Sequence, residues 1–138
     1  MTVKDYFRQA YFLDQLINSK LEQLESLNAI ANKATSVFSE MPRNPYRNTS
    51  TIANAVDKII DLQTEINCDI DRLVDIKREI VDLIKRIDMP EYQTILEKRY
   101  LSFLSWEQIA ADMNYGIDNV FRAHKKALSF VSIPKTLQ

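Results

Sequence analysis

The side chains best suited to chemistry in this 138-residue chain lie close together near its end: Asp118, Asn119, Arg122, His124, Lys125 and Lys126. Their types suit nucleic acid rather than a reaction. Arginine and lysine neutralise phosphates and read guanine, asparagine pairs with adenine, and aspartate accepts from cytosine. Catalysis and metal binding find little support elsewhere. His124 is the only histidine and Cys68 the only cysteine, which excludes paired-histidine and multi-cysteine metal sites and an intramolecular disulfide. Gly116 is the only glycine, so no glycine-rich loop can cradle a nucleotide phosphate. No nucleophile stands beside a base in a catalytic pattern. Neither an enzyme nor a cofactor nor a metal is expected.

Helices must position these side chains. One glycine and four prolines leave too few turn residues for an all-β fold, while 46% apolar and 27% charged residues suffice for a core. The expected class is all-α. Prolines at 42, 45, 90 and 134 divide the chain, and the intervals between them hold no strong breaker. From about Val3 to Phe38, Leu13, Ile17, Leu21, Leu24 and Leu27 recur at helical spacing behind Tyr6, Phe7, Tyr11 and Phe12. A break is expected from Ser39 to Ser50.

The next interval is the most regular. Ile52, Val56, Ile59, Gln63, Ile66, Ile70, Leu73, Lys77, Ile80, Ile84 and Ile87 alternate by four and three, and nine of the eleven are apolar. This reads as a coiled-coil seam on a helix roughly 54 Å long. Residues 1–89 are thus expected to form a long antiparallel helical hairpin. Two further heptad positions of the second helix are also mainly apolar, giving an arc of about 160° that one other helix cannot cover. A homodimer is the preferred explanation, with the hairpin as its stem. Asp57, Asp61, Glu65 and Asp69 form an acidic ridge, read as a solvated face rather than a cation site. Cys68 falls on a polar face, where it should be exposed.

In residues 90–138, Pro90 suits the first turn of a short helix ending near Tyr100. Ser105-Trp106-Glu107-Gln108 is a capping box that opens a two-turn helix. That helix stops at Asn114-Tyr115-Gly116, where asparagine or glycine can take the left-handed conformation. A last helix follows, with Val120, Ala123, Ala127, Leu128 and Val131 inward. Asp118, Asn119, Phe121, Arg122, Lys125, Lys126 and Ser129 face outward. A capped short helix, a tight turn and a longer helix with a basic outer face describe a helix-turn-helix, with the small Ala110 at the crossing. The overall net charge of −1 hides an asymmetry. Residues 117–138 carry +3 and residues 51–89 carry −3.

The run from Ser105 to Leu128 resembles the region-four helix-turn-helix of bacterial sigma factors in its capping serine, Glu107-x-Ile109-Ala110, apolar Val120 and Lys126-Ala127-Leu128. It is more similar to small regulators from phages and prophages of Gram-positive bacteria, akin to the autolysin-regulator and Rin-type late-gene activators. Arg99-Tyr100, Ser105-Trp106-Glu107, Met113-x-Tyr115 and His124-x-x-Ala127-Leu128 carry that similarity, and it extends over nearly the whole chain. The resemblance implies a DNA-binding transcription regulator whose recognition helix, about 117–131, enters the major groove. It places Ser105, Gly116, Ile117, Asp118, Asn119, Phe121, Arg122, His124, Lys125 and Lys126 at the DNA. This chain departs from the sigma pattern in three places: Gly116 and Ile117 stand where serine or threonine and then arginine are usual, and Phe121 replaces a base-reading arginine. Arg122 and Lys125 are therefore expected to carry most contacts. Phe121 either touches a thymine methyl or packs on a neighbouring helix. His124 either donates to a phosphate or is bonded inside the domain.

The expected partners are double-stranded DNA and a second copy of the chain, with RNA polymerase as a further candidate and no membrane. The N-terminus lacks the apolar stretch of a secretory signal, so the expected compartment is the cytoplasm of a bacterial host cell. Two alternatives stand beside this expectation: a small terminase-like DNA-packaging subunit, and an adaptor that contacts RNA polymerase.

Overall fold

In a computed structural model, the described residues, 2–40 and 45–133 with side chains at 2–33 and 52–133, form five helices and no strand. These are α1 (Val3–Glu40), α2 (Pro45–Lys85), α3 (Pro90–Tyr100), α4 (Trp106–Met113) and α5 (Ile117–Ser129). No described helix is long and apolar enough to cross a membrane. Of the break expected from Ser39 to Ser50, Ser39 and Glu40 are the end of α1 and residues 45–50 already belong to α2, which begins at Pro45. Proline is a breaker inside a helix but suits its first position, where the missing N–H has no helical acceptor. Residues 41–44 and Pro134 to Gln138, Lys135 included, lie outside the described residues.

The chain divides into two compact units, residues 1–14 with 73–138, and residues 15–72. In the first, Tyr6, Phe7 and Ala10 of α1, Ile80, Leu83 and Ile84 at the end of α2, Ile87 just beyond it, Leu96 and Tyr100 of α3 and Ala127 of α5 share one core. Aromatic rings organise it. Phe7 meets Tyr100 with centroids 5.1 Å apart, and the Tyr6 hydroxyl donates to Glu79 at 2.6 Å. The Gln93 side chain donates to the Ile87 carbonyl and fastens α3 to the segment that leaves α2.

In the second unit, α1 buries Ile17 and half-buries Lys20, Leu24, Leu27 and Ala31, a strict alternation of three and four. On α2, Ala55, Ile66 and Asp69 are buried and Ile52, Ile59 and Leu62 half-buried, while Val56, Gln63 and Ile70 are exposed. In the first unit α2 continues this phase through Leu73, Ile76, Ile80 and Leu83. The expected seam is thereby corrected: Val56, Gln63 and Ile70 leave it, and Ala55, Leu62 and Asp69 enter. The apolar arc is wide enough to hold two overlapping seams, and the side facing α1 includes a charge. Lys20 Nζ lies 2.5 Å from Asp69 Oδ2 and 3.7 Å from Glu65. The bond to Asp69 holds the Lys20 ammonium above its usual range. Asp69 therefore does not belong to the solvated acidic ridge, whereas Asp57, Asp61 and Glu65 are exposed. Cys68 is exposed, as expected.

Candidate nucleic-acid interface

Two caps set the geometry of α4. Ser105 Oγ accepts from the Gln108 backbone N–H at 3.2 Å, which satisfies one of the amides that the first turn leaves without a partner. At the other end Asn114, with φ 57°, takes the left-handed conformation. The Tyr115 N–H reaches back to the Ala110 carbonyl at 2.9 Å and the Asn114 N–H to Ala111 at 3.3 Å, the double bonding of a Schellman stop. The choice the sequence left between Asn114 and Gly116 is resolved in favour of asparagine. Gly116 has extended backbone, φ −68° and ψ 150°, and precedes α5 as its N-cap.

The inner faces of α4 and α5 meet at Ile109, Ala110 and Val120, with Leu104, Trp106, Met113 and Tyr115 packed around them. Ala110, expected at the crossing, is buried in this cluster. Asp118, Asn119, Arg122, Lys125, Lys126 and Ser129 on α5 are all exposed, as are Ser105 and Gly116. Ile117 and Phe121, one turn apart, are large apolar side chains exposed by 38% and 44%. Phe121 also sets its ring edge-on to Trp106 at 5.3 Å, so it packs on its neighbour and still presents a face to solvent.

His124 belongs to the other face. It is only 7% exposed, and its Nε2 lies 2.6 Å from the Tyr100 hydroxyl. Burial, with the Lys4 and Arg99 charges adding to it, pulls the imidazole down to about 4. The ring is therefore neutral at pH 7, and its Nε2 can accept the Tyr100 proton. Burial pushes Tyr100 up to about 12, so that proton stays on the hydroxyl. Of the two roles weighed for His124, the geometry matches the internal bond. A ring turned into the core does not reach a phosphate.

Sequence reasoning did not foresee what lies around this bond. The Trp106 ring packs edge-on to His124 at 4.6 Å, and the Arg99 guanidinium stands over Trp106 at 4.3 Å. Arg99 also donates to the Leu104 carbonyl at 3.0 Å, and Lys98 pairs with Asp112 at 3.5 Å across α3 and α4. Arg99, Tyr100, Trp106 and His124 are residues that carried the family resemblance, and here they form one internal bracket that ties α3, α4 and α5 together. Their spacing in the sequence gave no sign of it.

Beside the basic face, Tyr92, Tyr115, Asn119, Arg122 and Lys126 line an open groove of about 340 Å³ between α3 and α5. Glu91 enters the same groove, where its carboxylate accepts from the Tyr115 hydroxyl at 2.9 Å and raises the phenol above its usual range. The groove joins two cations, one carboxylate and two phenol rings. Such a wall can bind a polyanion's backbone and stack on flat groups. Among known proteins no family model, curated protein or solved structure matches the chain.

Proposed function

We propose that this chain is a sequence-specific DNA-binding regulator of phage or prophage transcription, with α4 and α5 acting as a helix-turn-helix and α5 as the recognition helix. One observation carries the reading. Arg122, Lys125 and Lys126 stand exposed with Asn119 on one side of α5, while the opposite side is fixed by Val120 and by the His124–Tyr100 bond. A rigid helix with a cationic outer face is what phosphate positioning and base readout require. Contacts with bases are assigned to Asn119, Arg122 and Lys125, with Asp118 as an acceptor and the exposed part of Phe121 or Ile117 against a thymine methyl. Ser105, Gly116 and Lys126 fall to the backbone.

The same proposal makes α1 and α2 an antiparallel hairpin, which the Tyr6–Glu79 and Lys20–Asp69 pairs support. It makes the molecule a homodimer. On α2, Val56, Ile60, Gln63, Asn67 and Ile70 are exposed at four-three spacing, a second seam left open beside the buried one. Selection of bound sequences from random duplexes tests the DNA reading. Replacing Arg122 and Lys125 with alanine should weaken binding and flatten its salt dependence. The slope of log affinity against log salt should fall by roughly 0.9 for each phosphate no longer neutralised. Equal binding by the double variant removes α5 from the interface. A ring-sized assembly in solution would point instead to the packaging-subunit alternative.

A second reading rests on Ile117 and Phe121. Two exposed apolar side chains one turn apart suit a protein surface, so an adaptor that meets RNA polymerase through α5 is the competing role. Pull-down of polymerase without DNA, lost in a Phe121→Ala variant, would favour it.

A further inference from the structure

A second cationic hollow lies between α1, α3 and the start of α4. Arg8, Tyr11, Arg99, Tyr100, Phe103 and Ser105 line a cavity of about 310 Å³, at the lower end of the roughly 300–1,000 Å³ typical of small-ligand clefts. No carboxylate lines it. Neither guanidinium is within ion-pair distance of an acid among the described residues. Arg99 is held in place by its stacking on Trp106 and its bond to the Leu104 carbonyl. Arg8 stands over the Phe12 ring at 5.1 Å. The Ser105 hydroxyl oxygen accepts from Gln108, so its own proton remains to be donated.

The floor of the cavity is shaped by an unusual backbone. Phe103 holds φ 58°, a left-handed conformation that a side chain of this size seldom adopts. The conformation lays its ring edge-on to Tyr11 at 5.7 Å and under the Lys77 ammonium at 4.8 Å. Strain of this kind persists where surrounding structure enforces it, and it clusters at ligand sites. The positive field of Arg8 and Arg99 reaches the buried Tyr100 hydroxyl and opposes the effect of burial there.

We infer that this cavity is an oxyanion site that takes a phosphoryl group between the Arg8 and Arg99 guanidiniums, with the Ser105 hydroxyl as a third donor and the Tyr11 and Phe103 rings as walls. Two planar forks, neither in an ion pair although the Asp5 carboxylate feels the Arg8 charge, match the several oxygens of a phosphate better than a single-point anion. The phosphate can belong to a free phosphorylated ligand or to a nucleic-acid backbone. The chemistry is the same, and it does not depend on whether α5 enters a duplex groove.

The test uses the full chain and follows the arginine Nε–H signals of Arg8 and Arg99 by NMR during titration with inorganic phosphate and with AMP, against chloride at equal ionic strength. Saturable shifts in the low-millimolar range or tighter are expected, weakened about tenfold in Arg8→Gln, since a charge-assisted bond contributes that much. Arg8 is exposed on α1, so this variant should keep the fold, which the rest of the spectrum reports. The Arg122→Ala/Lys125→Ala variant should bind phosphate normally, which separates this site from the proposed recognition helix. Duplex binding supplies the second arm. If Arg8→Gln lowers duplex affinity and its salt slope, the phosphate is the backbone's. If duplex binding is unchanged while AMP or phosphate still saturates, the ligand is a free one. Absence of saturable shifts up to about 20 mM, together with unchanged duplex binding by Arg8→Gln, overturns the site.

Discussion

Lowering the pH from 7 to 4.5 should destabilise the protein by about 2 kcal/mol through His124 alone. In the unfolded chain the imidazole titrates near 6.5, and in the fold burial brings it to about 4. The unfolded state thus takes up the proton first. Stability is fully present above about pH 6.5, falls as the pH drops between the two values, and levels off below about 4. The full difference is about 3 kcal/mol, at 1.36 kcal/mol per pH unit, and most of it is expressed by pH 4.5. The physical cause is local. A protonated Nε2 can no longer accept from the Tyr100 hydroxyl, and the new charge is buried at a site where Lys4 and Arg99 already act against it.

Urea unfolding followed by circular dichroism at the two pH values measures the loss. The comparison is His124→Gln, whose amide oxygen can still accept from Tyr100 but does not titrate. The variant should be somewhat less stable at pH 7 and lose far less on acidification. An NMR titration of the His124 ring supplies the folded-state midpoint directly. Equal losses in the two proteins, or a folded midpoint near 6.5, would refute the bracket as described. Under the DNA reading, duplex affinity should fall only as the folded ring itself protonates, near pH 4, because the same bond fixes α5 to α3.

Three other perturbations address the remaining elements. Asp69→Ala should lower the melting temperature by several degrees by leaving the half-buried Lys20 ammonium without its closest acceptor, whereas Lys20→Leu combined with Asp69→Leu should restore or exceed the original value. A double variant less stable than Asp69→Ala would show that the pair does not sit in an apolar seam. Gly116→Ser should stabilise by about 0.5–1 kcal/mol, from a better N-cap and a less flexible unfolded chain. A side chain there meets only Asn119 Nδ2, 3.9 Å from the added carbon, so a destabilised variant in chemical denaturation would contradict the backbone conformation at this turn. If the proposed homodimer forms through the open seam, Ile60→Glu with Ile70→Glu should turn it into a monomer in sedimentation velocity while leaving the helix content unchanged. An unchanged mass would move the interface elsewhere.

Much of this organisation was legible in the residues. Pro90, Ser105 with Gln108, and Asn114 each acts on its nearest neighbours, so helix starts and stops in the last third followed from local chemistry. The phase of α2 did not, because its apolar arc supports two seams and the partner decides which one closes. Asp69 made the wrong phase more attractive, since an acid in a seam reads as a solvated residue until Lys20, 49 positions earlier, is brought to it. The bracket was hidden for the same reason. Tyr6 meets Glu79 across 73 positions and Tyr100 meets His124 across 24, and no periodicity encodes such pairings. The left-handed Phe103 was equally invisible, as phenylalanine carries no preference for that conformation.

The placement of the motif residues bears on how specificity would arise under the DNA reading. Arg99, Tyr100, Trp106, His124 and Ala127 point inward or bind one another, so their recurrence would preserve the angle between α4 and α5 and carry no information about bases. This chain departs from the sigma-like pattern at exposed positions, Gly116 just before α5 and Ile117 and Phe121 on it. A scaffold held by an internal bracket tolerates such changes, because Phe121 touches it only through the edge-on contact with Trp106. Readout would then rest on Asn119, Arg122 and Lys125, with apolar contact from Phe121 in place of an arginine. Exchanging Phe121 for arginine should therefore alter the preferred sequence without lowering stability by more than the edge-on packing with Trp106 contributes, about 0.5–1.5 kcal/mol. Selection from random duplexes that returned the same preferred sequence for both proteins would place the readout elsewhere on α5.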